Sequence, residues 1–116
     1  MCFRILLLLT CLNTGPALAV DCLEIIDHAI GQPNEGFGLV EIEWQAEVEN
    51  RCEAAYYASL TLDFLDAEGN RIHRSRTDAV VNPGLSLQVT KLAMLNPDQA
   101  RQTTATRISL DARALP

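Results

Sequence analysis

The chain has 116 residues, with fifteen acidic against nine basic side chains and a net charge of −6. That length allows one small domain and excludes a multidomain assembly within the chain. The acidity repels nucleic acid and anionic lipid headgroups, so neither is expected as a partner.

Residues 1–19 read as a cleaved secretory signal peptide. Arg4 supplies a positive start, an apolar run from Ile5 reaches Leu12, Gly15-Pro16 breaks it, and Ala17-Leu18-Ala19 offers the small-x-small cleavage pattern. The run is too short to span a bilayer as a helix, so no stable membrane insertion is expected after cleavage. Lipidation does not fit, because Thr10 precedes Cys11 and Asp21 precedes Cys22, where a small residue is wanted. The expected mature domain is a single unit over 20–116. Arg4 leaves with the signal, so eight basic residues face fifteen acidic ones there, a net charge of −7. Lys91 is the one lysine among them, a bias that fits a GC-rich bacterial genome and hence a periplasm.

Cys22 and Cys52 remain as an even pair in an oxidising compartment. They lack the Cys-x-x-Cys spacing of a redox dithiol, which predicts a structural disulfide. Closing that loop contributes roughly 3–4 kcal/mol on the chain-entropy estimate.

Leu23 to Ile30 is the first strand candidate. From Val40 to Asn50 the chain alternates with period two: Val40, Ile42, Trp44, Ala46 and Val48 on one face, Glu41, Glu43, Gln45, Glu47 and Glu49 on the other. The next run sets Tyr56, Ala58, Leu60, Leu62 and Phe64 inward. Asp66 to Asn70 reads as a tight reversal, with Gly69 free to take a positive φ, and Arg71 to Thr77 as the returning strand anchored by Ile72. Asn82-Pro83-Gly84 is a second turn, followed by a strand on which Leu85, Leu87 and Val89 alternate. Asn96-Pro97-Asp98-Gln99 predicts a capped helical turn with Pro97 at its first position. A last strand runs near Thr104 to Ala112. With no long amphipathic helix to cover a single sheet, a second sheet must do so. The fold class is therefore all-β: a small antiparallel Ig-like β-sandwich of about six or seven strands.

The segment from Val40 to Val89 resembles the FxLYD-type domains, small sandwich modules of exported bacterial proteins. A strand closing on Val48-Glu49-Asn50, the run Leu62-Asp63-Phe64-Leu65-Asp66 before Glu68-Gly69-Asn70, and Pro83-Gly84 before Leu85 carry the resemblance. Leu62 stands where that family prefers Phe, and Leu65 where it prefers Tyr. The resemblance implies a sandwich fold and an exported setting, and transfers no catalytic residue.

Few residues invite chemistry. Glu41, Glu43, Glu47 and Glu49 form either a docking face for a basic partner or a solvated face neutralised by Arg71, Arg74 and Arg76 on a neighbouring strand. Asp63, Asp66 and Glu68 near Gly69 do not follow the calcium-loop spacing, since Gly69 as the sixth position makes Phe64 the first. His28 and His73 lack metal-ligand spacing, and Met94 is the one methionine of the expected mature chain. No nucleophile elbow, zincin helix or phosphate loop occurs, so neither a catalytic residue nor a cofactor is expected. Trp44 is in phase with the core, whereas Tyr57 is out of phase with Leu60 and Leu62 and is a candidate contact.

The expected function is that of an exported, non-enzymatic module mediating protein-protein interaction in the periplasm, envelope or extracellular space. Glu41, Glu43, Glu47, Glu49 and Tyr57 are its candidate partner-binding residues, and another exported or envelope protein its candidate partner. The alternative is a small-ligand or metal-ion carrier using loop carboxylates or histidines.

Overall fold

The computed structural model describes residues 21–115. The signal sequence read over 1–19 lies outside the described residues. Seven strands and one short helix follow in order among the described residues: β1 (Leu23–Ile30), β2 (Asn34–Gly36), β3 (Leu39–Asn50), β4 (Tyr56–Leu65), β5 (Arg71–Val81), β6 (Ser86–Leu95), α1 (Pro97–Gln102) and β7 (Ala105–Ala114). They form an antiparallel two-sheet sandwich. In sheet one, β3 is central, with β6 along one edge and β1 and β2 pairing end to end along the other. Sheet two has the order β5-β4-β7.

The period-two pattern of β3 holds through its whole length, because Val40, Ile42, Trp44, Ala46 and Val48 are all buried. They face Ala58, Leu60, Leu62 and Phe64 of β4, and Leu95, Ala93 and Val81 close the same core. Asn50, at the end of β3, is wholly buried yet polar. Its amide nitrogen donates to the carbonyls of Val81 (2.8 Å) and Ala54 (3.0 Å), and its side-chain oxygen accepts from the Cys52 N–H (2.7 Å). Every polar atom of that side chain is thus engaged, as burial demands. Cys22 and Cys52 are joined as a disulfide beside it, with Cα atoms 5.1 Å apart. This matches the expected pair, and it is a linkage that persists in oxidising compartments. No helix among the described residues is long and apolar enough to cross a membrane.

The turns follow their sequence signals. Asp66 Oδ1 accepts from the N–H groups of Glu68 (3.0 Å) and Asn70 (2.8 Å), with Gly69 at φ +86°. Gly84 takes φ +77° after Pro83, and its N–H donates to the Asn50 carbonyl. Asn96 and Gln99 cap α1 reciprocally, with Pro97 opening it.

Several boundaries differ from expectation. β5 continues past Thr77 to Val81, because Asp78 to Val81 pair with Tyr56 to Ser59 of β4. β6 reaches Leu95, and its buried residues are Ala93 and Leu95. Leu85, expected in the strand, precedes it and is exposed. The three-residue β2 carries no readable pattern, and its pairing with β3 alone defines it.

Candidate interaction surface

Alternation on β3 turns Glu41, Glu43, Gln45, Glu47 and Glu49 to the outer face of sheet one. Registration with β1 adds Glu24 opposite Glu49 and Asp27 opposite Glu47. These two residues are three apart and share a face only because the strand bulges at Ile26, which shifts the phase by one. Six carboxylates therefore occupy one sheet face. Arg51 answers two of them, donating to Glu24 (2.5 Å) and Glu49 (2.9 Å). Those hydrogen bonds raise the guanidinium pKa above its ordinary value. Among the described residues no ion pair reaches Asp27, Glu41, Glu43 or Glu47. Between them, Gln88 Nε2 donates to Gln45 Oε1 (2.8 Å).

The expectation that Arg71, Arg74 and Arg76 neutralise this stripe is corrected by the topology. All three lie on β5, in the other sheet. Arg74 instead forms a two-pronged contact with Asp63 (Nε–Oδ1 2.7 Å, Nη2–Oδ2 3.1 Å), which Arg107 joins from β7 at 3.4 Å. Asp63 is only 4% exposed on that outer face, and the Arg74 hydrogen bonds hold its carboxyl below the usual range. Arg76 reaches Ser59 Oγ (3.1 Å) and Asp78 (3.4 Å), and the Ser59 hydroxyl is the main cause of a lowered Asp78 pKa. The outer face of sheet two is thus a ladder of paired charges, whereas that of sheet one is largely unpaired acid.

Tyr57 does not join the glutamates. It lies on the outer face of sheet two, with the Arg113 guanidinium 5.0 Å from its ring centre. The loop carboxylates do not converge either, since Asp63 is held by two arginines and Asp66 is spent on its own turn. His28 and His73 are on strands of different sheets, His73 tilted against Phe64 at 5.9 Å between ring centres. Among the described residues no three histidine, cysteine or carboxylate side chains group as a metal site.

One feature of this face is not legible in the alternation. Phe37 and Gly38 both have positive φ (+55° and +78°) and connect β2 to β3 in a two-residue turn closed by the Gly36–Leu39 pair. The Phe37 side chain is fully exposed (106%). Leu39, Met94 opposite Glu41, and Leu92 opposite Glu43 extend an exposed apolar corner onto the acidic face. The glycines on both sides of Phe37 are the sequence signal for such a turn.

No family model and no curated protein matches the chain, so the FxLYD resemblance reaches no further than the strand-and-turn pattern that carries it. A solved structure of a DUF1425 family member from Shewanella sp. pv-4 is similar at 14% identity over 78% of each chain, with a TM-score of 0.43. It assigns no residue of this chain a role.

Proposed function

We propose that the protein is an exported, non-enzymatic interaction module that docks a basic partner protein of the same compartment on the outer face of sheet one. The observation that carries this reading is the set of six carboxylates on one sheet face, answered among the described residues by Arg51 alone and bordered by the apolar corner of Phe37, Leu39, Leu92 and Met94. A charged face steers association and selects a partner, and an adjoining apolar patch supplies the desolvated anchor. The disulfide and the signal-like residues 1–19 support an exported setting.

The test is native mass spectrometry of the protein purified gently from its own compartment, wild type beside Glu41→Gln/Glu43→Gln/Glu47→Gln. A protein that accompanies the wild type and is lost from the triple variant supports the reading. Equal recovery with both excludes the acidic face. A copurifying metal or small molecule instead moves the carrier alternative forward.

A further inference from the structure

A strand at the margin of a sheet exposes a row of unpaired N–H and C=O groups, and stable proteins blunt such margins. Three of the four margins here are blunted. β6 places Lys91 opposite the buried Trp44, so a charge stands on its inward side. The β1–β2 margin is broken by the bulge at Ile26 and the three-residue length of β2. β5 shifts register with β4 only at Ile72, near its start, but it lies alongside β6 of the other sheet.

The fourth margin is different. β7 keeps unbroken register with β4 from Ala105 to Ala114, without proline, glycine or bulge. Its inward positions Ile108, Leu110 and Ala112 are uncharged and only half-buried, packed on the core from one flank. Its outward positions read Arg107, Ser109, Asp111 and Arg113.

We propose that this margin is the seam of a homodimer, in which β7 of two copies pair antiparallel about Ser109. With Ser109 opposite its own counterpart, Arg107 of each copy faces Asp111 of the other, giving two opposite-charge pairs related by the two-fold axis. On the inward side Ile108 then faces Leu110, twice, and covers the open flank of each core. Residues directly opposite in such a pair are close enough to interact, and like charges there oppose pairing. Centring on Leu110 instead sets Arg107 against Arg113, and centring on Ile108 leaves Arg107 and Asp111 opposite uncharged residues. Centring on Ala112 also sets Asp111 against Arg113, but the two strands then overlap only over 110–114, whereas centring on Ser109 pairs them over 105–113. The Ser109 register thus combines self-complementary charge with the longer overlap, as an isologous interface requires. Pairing makes one six-stranded sheet from the two copies of sheet two and leaves the acidic face of sheet one free. The inference is therefore independent of the proposed docking face.

Sedimentation velocity of the disulfide-bonded protein tests it, using the wild type, Asp111→Arg and Arg107→Asp/Asp111→Arg. The wild type sediments as a dimer. Asp111→Arg opposes like charges twice and weakens the dimer by about tenfold or more, with an unchanged melting curve at monomer concentrations. The double variant exchanges the charges across the seam and restores the dimer, at a lower melting temperature because Arg107→Asp also sets an acid opposite Asp63 within each copy. In parallel, Ser109→Cys forms a covalent dimer under mild oxidation, a readout that holds even if the double variant fails to fold. A wild type that stays monomeric at the highest concentration measured overturns the proposal. So does a dimer indifferent to Asp111→Arg, or the absence of the Ser109→Cys cross-link.

Discussion

The indole of Trp44, on sheet one, donates its Nε1–H to the hydroxyl of Ser75, on sheet two, at 2.9 Å inside the sandwich. Both residues are buried. A large ring with one polar atom can fill such a core only if that atom finds a partner, and Ser75 supplies it from 31 residues away. Removing the hydroxyl strands a buried donor. Ser75→Ala is therefore expected to destabilise by about 1–3 kcal/mol. Urea unfolding followed by the fluorescence of Trp44 measures it.

Asn50 ties the end of β3 to β5 and to the disulfide-bearing loop through three side-chain hydrogen bonds. Asn50→Ala abandons all three with their partners buried or half-buried, at a cost of about 2–4 kcal/mol. Asn50→Asp keeps the shape but sets an acceptor against two carbonyls. It should be no better tolerated, and a shared loss of thermal stability in both variants checks the assignment.

Acid should act through Asp63. Arg74, and secondarily Arg107, depress its folded pKa, so the stabilisation is present above the unfolded value of about 4 and is lost as pH falls through the depressed one. The wild-type melting temperature should drop between about pH 5 and about pH 2, and Asp63→Asn should flatten that limb. Melting curves across that range, for both proteins, measure the difference. Asp78, lowered mainly by Ser59, contributes in the same direction.

Phe37 adopts the left-handed region at a turn position where asparagine is favoured. If its exposed ring serves binding and contributes nothing to packing, Phe37→Asn should stabilise the free protein by about 0.5–1 kcal/mol. A loss of stability on chemical denaturation would show instead that the ring packs.

The Cys22–Cys52 linkage closes the N-terminal strand onto the β3–β4 loop. Cys22→Ser/Cys52→Ser should cost roughly 3 kcal/mol on the chain-entropy estimate. Comparing unfolding midpoints of the oxidised, reduced and double-variant proteins measures that contribution.

The disulfide, the inward face of β3 and β4, the Gly69 and Pro83-Gly84 turns and the capped turn at Asn96 were all legible in the chain. Each depends on neighbours a few residues away, or on a pair of cysteines with no other partner in the expected mature chain. A strand's alternation is a local property of its backbone, so Glu41, Glu43, Glu47 and Glu49 had to share a face once Val40 to Val48 were buried. Alternation says nothing about which sheet a strand joins. Tertiary structure alone sent the arginines of β5 to Asp63, Ser59 and Asp78 and left the glutamates of β3 unanswered by them. It separated Tyr57 from the acidic face, and through one bulge brought Glu24 and Asp27 to it together. Those outcomes rest on cross-strand registers between segments far apart in the chain, set by how two sheets bury a common core.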